Sequence, residues 1–237
     1  MKTTINLLAI ILVAGTIVSC SNVDGETTNT TGVNDVKMTN YDQVMALDND
    51  RSILEWEGYK PTGQHNGTVE IASGELMMKD GQLVGGSFTF DMNSITVLDL
   101  TNPEWNAKLT NHLKSADFFE VEMYPKAAFE ATEVKPVDGS TADISGEKGK
   151  LMPTHAITGN LTIKGISKGI TIYANVDASE DRIMAESNMF FLDRTEWNVQ
   201  YKSKKIFAGL KDDFINDEMG IRFNIVATSS DNDLASK

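Results

Sequence analysis

The sequence predicts an all-β domain: an antiparallel sheet of about eight strands closed into a barrel, with one short helix near the barrel end. Three observations point there. Apolar and polar residues alternate with period two over many short segments. Gly-marked turns join those segments closely enough for antiparallel neighbours. A single helical pattern, Thr101 to Leu113, interrupts the series. A sandwich satisfies the same periodicity, but aromatics spread over many strands suit a wall around a cavity, which ranks the barrel first.

Ser52 to Tyr59 alternates through Ile53, Leu54 and Trp56 and forms the first strand of a domain bounded at 51 and 228. A Pro- and Gly-marked bend at Tyr59–Gly67 leads to Thr68–Ala72 and Glu75–Met78, parted by Ser73-Gly74. Lys79-Asp80-Gly81 is a hairpin turn of the Asp-Gly kind. Leu83 to Met92 follows with Phe88, Phe90 and Met92 on one face and Ser87, Thr89 and Asp91 on the other. Ser94 to Leu100 continues extended.

Asn102 before Pro103 and Glu104 starts the helix: a polar cap, Pro in the first turn, then an acid. Trp105, Leu109, His112 and Leu113 share one face, expected to pack down on a barrel end. Phe118-Phe119 then reach toward the interior. Ala128 to Val134 returns to strand, and Lys135 to Met152 is a polar, Gly-containing loop or loose hairpin. Thr154–Lys164, Gly169–Asp177 and Arg182–Leu192 alternate in turn. After an irregular Asp193–Ile215, Gly220–Thr228 closes the sheet.

Acidic residues outnumber basic ones by 34 to 21, a formal charge of −13. That balance disfavours nucleic acid or an anionic lipid surface as an electrostatic partner. Residues 1–19 combine Lys2 with an apolar run too short for a comfortable span, a processing signal rather than structure. Ile17-Val18-Ser19-Cys20 resembles the lipobox of bacterial lipoproteins, which implies cleavage before Cys20 and acylation of that residue. Cys20 is also the only cysteine, so the core must hold the fold without an internal disulfide. Residues 20–50, rich in Thr, Asn, Asp and Gly, are expected to be a lipidated flexible tether, with a short helical turn allowed near Tyr41–Leu47. Such a tether spans roughly 30 Å. Residues 229–237 are a polar tail.

No catalytic or metal constellation emerges. His65, His112 and His155 share no ligand spacing with one another. No stretch resembles a nucleophile elbow, and Gly146–Lys150 lacks phosphate-loop spacing. Asp193-Arg194-Thr195-Glu196-Trp197 supports two readings. In one, the Arg194 guanidinium meets a polar head group at the cavity mouth. In the other, Asp193 and Arg194 pair while Trp197 plugs the barrel end.

Several segments, read together, are similar to the YceI-like family of bacterial polyisoprenoid-binding proteins. They are Trp56–Lys60 with Gly63–Gly67, Gly85–Phe88, His112–Phe119 running to Tyr124-Pro125, Ile157–Gly165, and Asp193–Thr195. Their order is kept from Arg51 to Thr228. The resemblance implies a lipocalin-like antiparallel barrel holding an isoprenoid or other long-chain amphiphile lengthwise, outside the cytoplasm. It carries over no catalytic residue. The lipobox and the Lys135–Met152 loop depart from the family pattern.

The expected ligand contacts are Trp56, His65, Phe88, Phe90, Phe118, Phe119, Phe129, Phe191, Arg194, Trp197 and Tyr201, with His65, Arg194 and Tyr201 near a head group. The expected partners are a hydrophobic lipid, such as an isoprenoid quinone, and a membrane reached through the Cys20 anchor. No cofactor, metal, catalysis or nucleic acid is expected; a homodimer is compatible with the chain. The location is the bacterial envelope, periplasmic or surface-facing at the outer membrane, because Ser21 and Asn22 lack the Asp of inner-membrane retention. The rivals are an enzyme using the same cavity and an interaction module with a filled barrel.

Overall fold

The computed structural model describes residues 26–36, 40–138 and 151–229. The expected signal segment, Cys20, the middle of the Lys135–Met152 connection and the tail beyond Ser229 lie outside them. In chain order the elements are β1 (Glu26–Thr27), β2 (Gln43–Leu47), β3 (Ile53–Lys60), β4 (Gly63–Lys79), β5 (Gln82–Asp91), α1 (Pro103–Lys114), β6 (Lys126–Pro136), β7 (His155–Ile163), β8 (Ile166–Ala178), β9 (Arg182–Ser187), β10 (Phe190–Asp193) and β11 (Glu218–Ser229).

These strands close into an antiparallel barrel with eight wall positions, as the alternation and short turns predict. Strands β4 to β8 pair in sequence. Two positions are each shared by two short strands. Beside β11, β3 covers Met219–Asn224 and β2 covers Ala227–Ser229, both also pairing with β4. On its other side β10 covers Glu218–Ile221 and β9 covers Asn224–Thr228. The predicted Arg182–Leu192 strand is therefore two, and the break at Asn188-Met189 lets the chain leave β8.

That departure opens the wall, because β9 covers β8 only from Ala174 to Ala178. The segment expected to be a tether fills the opening. β1 runs parallel to Phe190-Phe191 of β10, the Thr28 amide donates to the Phe191 carbonyl (2.8 Å), and Thr31 exchanges both backbone bonds with Gly169 of β8. Asn160 of β7 clamps the next turn, accepting from the Asn34 amide (2.8 Å) and donating to the Asn34 carbonyl (2.9 Å). A Cβ on Gly169 would stand 2.3 Å from Thr31 Oγ1, so glycine permits the approach. The expected boundary at 51 and the helical turn near Tyr41–Leu47 are likewise corrected: Gln43–Leu47 is a strand of the sheet. Polar composition argued against burial, but backbone pairing along an open sheet edge requires no apolar side chains. Asn160→Ala is expected to cost about 1–2 kcal/mol and to raise amide exchange at Thr31–Asn34, read by hydrogen–deuterium exchange.

α1 starts where predicted: Asn102 Oδ1 accepts from the Glu104 and Trp105 amides at 3.0 and 3.1 Å. Leu113 is buried, but Trp105 points outward, 57 % exposed, with the Lys108 ammonium 5.0 Å from its ring centre. Leu113 and Phe118 satisfy the packed face, leaving the first turn over solvent. α1, the β3–β4 and β7–β8 turns and the 194–217 segment all lie at one end of the barrel, here the helix end.

His155 begins β7 at the opposite end, its Nδ1 2.8 Å from Thr154 Oγ1. Burial holds its pKa below the ordinary 6.5. The unfolded chain therefore binds the proton more readily, and stability falls as pH drops through 6.5 toward the folded value. His155→Gln is expected to flatten this part of the profile in urea melts taken at successive pH values.

Candidate functional site: an apolar barrel cavity

The barrel encloses a cavity of about 190 Å³ running lengthwise. Its deep lining is hydrocarbon: Val69, Leu76, Leu83, Phe90, Ile157, Ile170, Ile172, Phe223 and Ile225. Strand alternation puts these side chains inward and their polar neighbours out. The lining residues that keep solvent contact at the helix end include Trp56, Gly58, Phe119, Ile215, Asn216 and Met219, which mark a mouth there.

Three large rings do not fill the lumen because each lies along the wall over a glycine. Phe88 faces Gly74 across the β4–β5 pair, where a Cβ would stand 2.3 Å from its Cδ1. Phe129 lies over Gly159 of β7, where a Cβ would come within 2.5 Å of its Cζ. Trp56 faces Gly67, where a Cβ would meet its Cζ2 at 2.7 Å and the Thr96 carbonyl oxygen at 1.8 Å. Glycine in a strand marks such close approaches. The missing side chains leave room for the rings and keep the axis open.

Trp56, Phe88, Phe90, Phe118, Phe119, Phe129 and Arg194 line the cavity; His65, Phe191, Trp197 and Tyr201 do not. Phe191 is on the outer face, buried with the Tyr59 ring centre 5.9 Å away, while its neighbours Phe190 and Leu192 point inward. One residue of register decides this. Trp197 is fully buried with Nε1 donating to the Leu161 carbonyl (3.0 Å), closing the wall beside β8. Tyr201 packs on His112 and Phe118 at 4.8 and 5.4 Å between ring centres. His65 holds Asp99 at 2.8 Å on the rim. Burial raises the Asp99 pKa, but the His65 and Asn66 hydrogen bonds outweigh it and hold the carboxylate below its ordinary value.

Arg194 corrects the Asp193–Arg194 pairing expected of its motif. It is only 4 % exposed, and its guanidinium is committed to backbone: Nε donates to the Asn216 carbonyl (2.9 Å), Nη1 to Val199 (2.7 Å) and Nη2 to Ile215 (3.0 Å). Asp217 stands 3.5 Å from Nη2. Burial lowers the Arg194 pKa, opposed by the Asp217, Asp193 and Glu218 carboxylates. Asp193 pairs instead with Lys205. Arg194 thus locks the segment beside the mouth, with three of its five N–H donors given to backbone carbonyls.

Trp56 Nε1 is the polar atom of the lining aromatics that lacks a partner: it is buried and donates to no protein atom. Among the described residues no group of three or more His, Cys, Asp or Glu converges as a metal site. No helix among them is long and apolar enough to cross a membrane. The apolar lining outside the aromatic series was missed by sequence reasoning, although strand alternation marks it. The glycines under the rings carried no local signal.

The model of the YceI-like domain matches residues 45–227. A UPF0312 protein of Pseudomonas aeruginosa is 36% identical over 103 residues, 40% of this chain and 47% of the relative. The match thus spans about half the length of the curated relatives. Burkholderia cenocepacia BcnA superposes with a TM-score of 0.57 at 20% identity, over 77% of this chain and 99% of that one. A polyisoprenoid binding domain from Saccharophagus degradans superposes with a TM-score of 0.53 at 15% identity, over 78% and 98%. At these identities the two structures establish shared fold.

Proposed function

The chain belongs to the YceI-like family, and from that premise we propose that it is an envelope lipoprotein whose barrel binds a polyisoprenoid or other long-chain amphiphilic lipid, as carrier or reservoir. The observation that carries the proposal is the lengthwise cavity with hydrocarbon walls and rings laid flat against them. β5 lines it from Leu83 to Phe90, roughly 24 Å of strand and about 18 Å along the axis after tilt. That exceeds the ~15 Å half-thickness of a bilayer core. Each methylene buried there contributes about 0.8 kcal/mol, so ten give about 8 kcal/mol before association costs.

The unpartnered Trp56 Nε1 favours a guest carrying an acceptor oxygen, as a quinone does. The Saccharophagus neighbour is named for polyisoprenoid binding, which supports the same ligand class. A catalytic role in this cavity would need converging polar groups at depth, where the lining offers Phe, Ile, Leu and Val. Cys20 would hold the protein at the outer membrane. Because Glu26 is already on the barrel wall, five residues separate it from Cys20, and the six steps between them reach at most about 20 Å. This is a shorter leash than the 20–50 tether.

Native mass spectrometry of the chain from Ser21 onward, which keeps β1 and β2, tests the proposal when paired with lipid extraction. A discrete added mass that partitions into organic solvent is expected. Protein that is empty in every preparation, and stays empty after incubation with isoprenoid quinone, would remove it.

A further inference from the structure

We infer that the helix end of the barrel is a membrane-docking face, seating the tip from Lys204 to Gly209 and Trp105 on an anionic lipid bilayer so that the cavity opens against lipid. The inference rests on the lipid-binding reading and adds where the guest enters. Phe207 (48 % exposed), Ile206 (46 %), Trp105 (57 %) and Leu98 (61 %) all stand on connections at this end. Single exposed apolar residues need no explanation, but a group around a cavity mouth marks an interaction surface.

Charge selects the occupant. The chain is strongly acidic, with Glu104 beside Trp105 and Asp212-Asp213 after Lys211, yet the tip itself, from Trp197 to Lys211, has four lysines and no acidic residue. Lys202 and Lys205 are paired with Asp213 and Asp193, and the Lys204 ammonium lies 3.5 Å from the Phe214 ring centre. Lys204 and Lys211 therefore supply most of the attraction toward anionic head groups. Lysines flanking exposed aromatic and aliphatic tips suit a membrane interface, where rings sit at head-group level.

The tip is also held ready. Arg194 bonds the Val199 carbonyl on its incoming stem and the Ile215 and Asn216 carbonyls on its outgoing stem. The Ile215 amide donates to the Lys202 carbonyl at 3.0 Å, tying the stems together. A loop pinned at both stems loses little freedom on docking. Ile215 and Asn216 also line the cavity, so the pinned stem forms part of its mouth.

The test uses the full lipid-anchored chain in phosphatidylcholine–phosphatidylglycerol vesicles, with or without phospholipid brominated on its acyl chains. Wild type is compared with Trp105→Phe and with the double variant Ile206→Ser, Phe207→Ser. Emission from Trp105, taken as the difference from Trp105→Phe, is expected to fall roughly twofold on bromination, and the fall should be lost in the double variant and reduced in pure phosphatidylcholine. Quenching that survives in Trp105→Phe reports lipid tails at Trp56 and so tests cavity occupancy separately. Trp105 emission indifferent to bromine, with Trp56 quenched, would overturn docking and leave lipid binding standing. Loss of both signals would remove docking and count against lipid binding as well. A lipid-free, concentration-dependent shift of Trp105 emission would instead assign the face to a second copy of the chain.

Discussion

Arg194→Ala is expected to lower the unfolding free energy by about 3–5 kcal/mol, the size of effect seen when one partner of a buried charge network is removed. The guanidinium serves three backbone carbonyls on two separate stretches, Val199 and Ile215-Asn216, and stands beside the 11 % exposed Asp217 side chain. Truncation leaves those carbonyls without their donor and Asp217 without its cation in a poorly solvated place. Arg194→Lys keeps a charge but not the planar fork, so it should recover only a minority of the loss. Urea unfolding checks this: the midpoint should drop with little change in slope, and the 199–217 segment should become protease-sensitive in the variant. An Arg194→Ala protein as stable as wild type would mean that the bonds are replaced by water at no cost.

Gly74→Leu and Gly159→Leu are expected to empty the barrel while leaving its sheet in place. At Gly74 the nearest obstacle is the Phe88 ring, which must swing into the lumen. At Gly159 the Phe129 ring is displaced and the Glu130 carbonyl lies only 2.4 Å from the added Cβ, so the backbone must also shift. Overpacking of this kind costs about 1–3 kcal/mol of stability. The larger effect is on binding: a ring in the lumen displaces roughly four methylenes of guest, about 3 kcal/mol or two orders of magnitude in affinity. Gly32→Ala is the control, since no atom lies within 4 Å of a Cβ built there and Gly32 does not line the cavity. Lipid content by extraction, beside far-UV circular dichroism, separates the outcomes. Retained lipid in both leucine variants would show that the rings do not set the bore.

The barrel was legible because the signals for it are local. Phe88, Phe90 and Met92 alternate with Ser87, Thr89 and Asp91, and Asp80-Gly81 both take positive φ in the turn that follows β4. Asn102-Pro103-Glu104 caps the helix through two amide bonds to one side-chain oxygen. The candidate site was legible where alternation and aromatic character coincide, as at Phe88, Phe90 and Phe129. It failed at Phe191, where both aromatics of a Phe-Phe pair are buried and only the register with Gly220 and β1 says which faces in.

The period, the turns, the helix start and the apolar stock each depend on residues within a few positions of one another, so the chain carries them locally. It takes the closed barrel to bring Thr31 and Asn34 into the wall, to let Arg194 tie two stems together, and to set Gly74 and Gly159 under rings on other strands. These are contacts between segments far apart in the chain. Their energy comes from desolvation and close approach, which exist only once the sheet has closed.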